Sequence, residues 1–168
     1  TMHWITPDGA GTLASANRFV PGGHYPKEGS HVMYDEGKIL VAGGGETTTA
    51  MTGSGFDGTS GTSSKLAYTV DLNTNPPTVA TTASMANARQ YANVVMLPSG
   101  EALVMGGNAG RKFNDAGSIL TPEIWNPRTG TWRPVAQHSV PRNYHSVALL
   151  LPDGRVWLGG GGLGGNAA

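Results

Sequence analysis

Tyr144 and His145 stand side by side at the mouth of an apolar run, RNYHSVALLLPDGRV (142–156). An imidazole suits copper, iron or zinc, and a phenolate oxygen is a harder donor that accompanies it in oxidised metal sites. Successive side chains of a regular strand point to opposite faces, so joint coordination requires the backbone to bend where the run begins. The loop 139–143 is where such a bend is easiest. Each residue also has a plain structural reading: Tyr144 as a packed aromatic, His145 as a satisfied core or rim histidine.

A comparison inside the chain weighs these readings. Arg89-Gln90-Tyr91-Ala92 precedes one glycine-ended run much as Arg142-Asn143-Tyr144-His145 precedes another. That pairing sets Tyr91 against Tyr144 and Ala92 against His145, so a tyrosine there can be structural, while the repeat does not demand the histidine. The remaining polar candidates carry less. His24, His31 and His138 lie in or near loops without partners at metal spacing. The glycine tracts 43–45 and 159–162 lack the Gly-Lys-Ser/Thr ending and following helix of a phosphate loop. Asp35 and Asp153 are turn acids, with no paired-carboxylate geometry to be argued.

The elements that must hold these residues form a repeat. Segments 31–45, 92–108 and 145–162 each run apolar strand, turn, apolar strand, glycines. Their turn glycines, Gly37, Gly100 and Gly154, each precede Gly43, Gly106 and Gly160 by the same interval, which fixes the register of the second strand. The turn glycines are separated by 100 − 37 = 63 and 154 − 100 = 54 residues, near the period of roughly 50 expected of kelch propeller blades. The larger interval contains 47–64, a Gly, Ser and Thr stretch that reads as a long inserted loop. Outer strands are expected at 66–72 with 78–83, and at 122–125 with 131–136.

The fold class expected is therefore all-β: a kelch-type β-propeller segment of about three blades' worth of four-stranded antiparallel sheets, forming an incomplete ring. Residues 1–28 supply the outer strands of one blade, 29–86 and 87–140 a blade each, and 141–168 the inner strands of a further blade. A closed propeller typically needs about four to eight blades, so the remaining blades are expected from a longer parent or another chain. Left alone, the segment would expose sheet edges and apolar blade faces.

Composition agrees and excludes several functions. Twenty-six glycines and 11 prolines in 168 residues suit short strands and tight turns rather than helices. Eleven basic residues balance 11 acidic ones, and without a basic cluster nucleic acid is not an expected partner. With no cysteine there is neither a disulfide framework nor a thiolate metal site in these residues. No membrane span and no signal peptide can be read.

At this point the motifs resemble a known family. RNYHS with ALLLPDGRV and GGGGLGG (142–165), MHW (2–4), VMYDEGKIL (32–40), ARQY and MLPSG within 88–100, and TPEIWNP (121–127) are similar, in the same order, to galactose oxidase and glyoxal oxidase, the copper radical oxidases. The resemblance covers most of the chain, and its YHS…LLLPDGRV segment is highly specific. It implies a copper ion on the propeller axis, with Tyr144 as axial ligand and as the base that takes the alcohol proton, and His145 as equatorial ligand. It implies a second histidine and a cysteine-linked radical tyrosine from outside these residues, and Phe113 as part of the substrate wall. The substrates implied are a small alcohol, aldehyde or carbohydrate together with O2, giving H2O2, in an extracellular or exported protein. Thr48-Thr49 stands where galactose oxidase has a Tyr-Gln pair, so a sugar hydroxyl loses an amide partner and galactose itself is not expected. The isolated segment, lacking the radical tyrosine, is expected to be inactive. The alternative is a non-catalytic kelch-like propeller that binds protein or glycan.

Overall fold

A computed structural model describes residues 2–16, 27–46, 62–110 and 115–161. His24, Thr48-Thr49 and Phe113 lie outside the described residues. Every element among the described residues is a strand, and no helix there is long and apolar enough to cross a membrane.

Two four-stranded antiparallel sheets carry the segment. In the first, β3 (Ser30–Asp35), β4 (Lys38–Ala42), β7 (Ala67–Asp71) and β8 (Thr78–Thr81) lie in that order. In the second, β9 (Gln90–Met96), β10 (Ala102–Asn108), β11 (Glu123–Asn126) and β12 (Thr131–Pro134) do the same. A hairpin precedes them, β1 (His3–Thr6) with β2 (Thr12–Ser15), and another follows, β13 (Ser146–Leu150) with β14 (Val156–Gly160). The first strand β9 neighbours both β3 and β13, so the first strands line up along an inner edge from which each sheet extends outward as propeller blades do. A two-residue ladder that the sequence pattern did not suggest pairs β5 (Gly45–Glu46) with β6 (Thr62–Ser63).

Burial alternates along β3 and the end of β4. Leu40 and Ala42 of β4 face Ala102 and Val104 of β10 across a core that also holds Ala67, Met85 and Trp125. The Trp125 ring meets Tyr34 edge-on at 5.0 Å, and its indole N–H donates to Thr82 Oγ1 at 3.1 Å, so the large aromatic is buried with its polar atom satisfied. Burial also pushes the Tyr68 phenol up to about 12. The end hairpins differ: Ile5 and Leu13 on one, and Leu149 and Trp157 on the other, are exposed.

Glycine sets the spacing between blades. The N–H of Gly44 donates to the Arg89 carbonyl at 2.9 Å, and that of Gly107 to the Arg142 carbonyl at 2.8 Å. The same contact thus joins each sheet to the lead-in of the next. A Cβ on Gly106 would stand against the Arg142 carbonyl oxygen, well inside van der Waals contact, at φ +68. Gly100, at φ +80, has open space where its Cβ would go. Gly100→Ala should therefore cost about 1 kcal/mol, the left-handed backbone alone, and Gly106→Ala about 2 kcal/mol more, for the displaced carbonyl and its hydrogen bond. Urea unfolding midpoints of the two variants measure the difference.

Candidate metal centre

The three first strands begin in the same unusual way. Glu28, Tyr91 and His145 have φ of 62, 58 and 65, a left-handed region that non-glycine residues seldom occupy. Each lies one residue ahead of the position paired with, or facing, the end of the second strand: Ala92 pairs with Gly106 and Ser146 with Gly160, while Ser30 pairs with Ala42, which sets Gly29 opposite Gly43. The strand ladder therefore makes Tyr91, not Ala92, the counterpart of His145.

This corrects the pairing of Arg89-Gln90-Tyr91-Ala92 with Arg142-Asn143-Tyr144-His145. The two arginines are equivalent, because their carbonyls receive the Gly44 and Gly107 N–H groups. Between the arginine and the residue paired with the equivalent glycine, Gly106 or Gly160, however, the later lead-in has one residue more, Arg142 to Ser146 against Arg89 to Ala92. A turn absorbs it, closed by the Ser146 N–H donating to the Asn143 carbonyl at 2.9 Å. The Asn143 amide donates to Ser118 Oγ at 2.9 Å and Asp115 Oδ1 at 3.2 Å, anchoring the turn to the neighbouring sheet's connection. The Asn93 amide donates to Ser146 Oγ at 2.7 Å on the other side.

The bend required for joint action is present. With His145 left-handed inside the turn, the two side chains do not diverge: the Tyr144 and His145 rings stack with centroids 3.8 Å apart and planes at 28°. Tyr144 is half-buried and His145 exposed. Tyr91 meets Tyr144 perpendicularly at 5.3 Å, and the Tyr91 hydroxyl donates to Glu28 Oε2. Burial first, then the hydrogen bond to Glu28 and the neighbouring charges of Glu28 and Tyr144, push the Tyr91 phenol far up. Tyr91 therefore stays a neutral O–H donor through the ordinary pH range.

A harder oxygen and an imidazole nitrogen side by side on one anchored turn fit a copper ion as two of its donors. Among the described residues no three His, Cys, Asp or Glu side chains gather as a metal-binding group. The structure brings the predicted Tyr144 and His145 rings together and sets beside them Tyr91, tied to Glu28, a grouping that sequence reasoning did not anticipate. Their signal was available: Glu28, Tyr91 and His145 all stand nine residues before the turn glycines Gly37, Gly100 and Gly154.

Comparison with known proteins agrees with this architecture. Residues 23–165 match the family model for the glyoxal oxidase N-terminus, and the chain belongs to that family. It is 36% identical over 171 residues to a galactose oxidase of Gibberella zeae, covering 98% of this chain and 24% of that one. It is 32% identical over 149 residues to an aldehyde oxidase, GLOX, of Vitis pseudoreticulata, covering 82% and 28%. Among solved structures, a fungal alcohol oxidase of the AA5 family in complex with copper superposes with a TM-score of 0.78 at 35% identity, covering 95% of this chain and 32% of that one. The chain thus spans only 24% to 32% of the length of these three relatives. YjhT, at 16% identity and a TM-score of 0.60, shares the fold.

Proposed function

We propose that this chain is the part of a copper-dependent alcohol or aldehyde oxidase that supplies two of the copper donors, Tyr144 and His145. The reading rests on one observation: a turn with one residue more than its counterpart, and a left-handed His145, bring an adjacent phenol and imidazole together. The relatives support it, being named for galactose, aldehyde and alcohol oxidation. The division 1–28, 29–86, 87–140 and 141–168 into partial and whole blades belongs to the same proposal. So do the remaining blades, which would cover the exposed Ile5, Leu13, Leu149 and Trp157, and export of the protein.

Bound copper, with a tyrosyl radical supplied from outside this chain, provides a two-electron acceptor for RCH2OH, the products being RCHO and, from O2, H2O2. The chain's own work is positional and acid–base. His145 presents a ring nitrogen as donor. Tyr144 Oη, as phenolate, takes the substrate hydroxyl proton: the O–H bond of the alcohol breaks and the phenol O–H forms. Stacking on His145 and the perpendicular Tyr91 ring restrict the swing of Tyr144 while it does so. Phe113 is proposed as substrate wall.

The test is peroxide production. Full-length protein carrying these residues, loaded with Cu(II), should release H2O2 from simple primary alcohols or aldehydes and lose that activity on chelation. Copper-loaded protein that is folded yet yields no peroxide, and binds glycan or protein instead, would establish the non-catalytic propeller. The segment 1–168 alone should be inactive in the same assay, since it has no source of the second oxidising equivalent.

A further inference from the structure

Three left-handed residues at one repeat position call for three explanations, because strained backbone persists only where its surroundings enforce it and it clusters at functional sites. His145 is accounted for by the pairing of its ring with Tyr144. Glu28 and Tyr91 are not, and they are joined to each other twice: the Tyr91 hydroxyl donates to the Glu28 carboxylate, and the Tyr91 N–H donates to the Glu28 carbonyl at 2.9 Å. Tyr91 in turn lies against Tyr144, ring centroids 5.3 Å apart and planes at 88°. The result is a continuous line of contacts, Glu28 to Tyr91 to Tyr144 to His145, drawn from the first residues of three successive blades.

We propose that Glu28 and Tyr91 are positioning residues: Glu28 fixes the ring of Tyr91, and Tyr91 fixes the ring of Tyr144 and hence the aim of its Oη. The inference rests on the reading of Tyr144 and His145 as copper donors. A tyrosine has two side-chain torsions, so a ring supported only by its neighbour on one side can still swing; a second ring, itself tied down at its hydroxyl, removes that freedom. The tie is an O–H donating to an ionised carboxylate, the stronger kind of hydrogen bond. Partners of this sort, one layer outside a metal's ligands, orient those ligands, and their loss typically lowers affinity or activity by about 10–100-fold.

The test uses the full-length, copper-loaded protein and reads the Cu(II) electron paramagnetic resonance spectrum and the phenolate-to-Cu(II) absorption, with kcat and KM alongside. The part of the absorption that belongs to Tyr144 is defined by its loss in Tyr144→Phe. Glu28→Gly removes the carboxylate and relieves the left-handed backbone, so its thermal midpoint should not fall. It should nonetheless shift and weaken the Tyr144 band and lower kcat by about tenfold, with KM within about twofold. Tyr91→Phe, which keeps the ring and removes the hydroxyl, should change the spectra in the same direction. Glu28→Gln, which keeps an acceptor for the Tyr91 hydroxyl, should restore most of both signals. The proposal is overturned if Glu28→Gly and Tyr91→Phe match the wild type in spectra and kcat while Tyr144→Phe does not. Spectra unchanged even in Tyr144→Phe would overturn the copper-site reading itself, and the positioning role with it.

Discussion

In the full-length protein, Tyr144→Phe should lower kcat for a primary alcohol by about 10³-fold, within the range of about 10²–10⁴ that a positioned acid or base contributes, and leave the fold intact. Phenylalanine keeps the ring that stacks on His145 at 3.8 Å and meets Tyr91 at 5.3 Å, so packing survives and only Oη is lost. Tyr144 is half-buried rather than part of the central core, so the unfolding midpoint should move little. Because the hydroxyl proton moves only during reaction, the loss should fall on kcat and kcat/KM together rather than on KM. Steady-state peroxide assays with circular dichroism on the same samples measure both halves. Near-normal turnover in that variant would refute the base assignment.

The sequence made the strands legible because glycine marked their ends. Gly43, Gly106 and Gly160 stand at or near the ends of the second strands with φ of 70, 68 and 69, and a constant interval from the turn glycines was enough to place them. The candidate site was only partly legible. Tyr144 and His145 were found as a pair by their chemistry, but the comparison of Arg89-Gln90-Tyr91 with Arg142-Asn143-Tyr144 matched letters where the backbone had gained a residue. A turn that absorbs one residue is invisible to a motif read from its arginine, and plain when counted back from Gly100 and Gly154. Glu28 was missed for a different reason. Its partner Tyr91 lies in the next blade, and a carboxylate outside any motif carries no local mark of a contact made across sheets.

The same limit hid the most deeply buried charges among the described residues. Arg89 and Glu123 are 0% and 1% exposed and meet at 2.6 Å between Nη2 and Oε1. Burial pulls the Arg89 guanidinium below its usual range, and Glu123 opposes that pull with its charge and hydrogen bond. Arg89 also donates to the Gly106 carbonyl at 3.1 Å and the Thr121 carbonyl at 3.0 Å. Glu123 accepts from the backbone N–H groups of Ala86 at 2.7 Å and Asn87 at 3.2 Å. Glu123→Leu would leave a guanidinium in the interior with no opposing charge and two backbone donors with no acceptor. The expected cost is about 3–5 kcal/mol of unfolding free energy, read as a fall in urea midpoint at unchanged slope. Removing both charges should hurt less than removing one. Arg89→Met with Glu123→Leu takes the uncompensated ion out of the interior, so the double variant should recover part of the loss, and a double variant as unstable as Glu123→Leu would show that the hydrogen bonds, not the charge, set the cost. Because the Arg89 carbonyl holds Gly44 and its chain leads in two residues to Tyr91, the single variant should also loosen the lead-in from which Tyr91 reaches Tyr144.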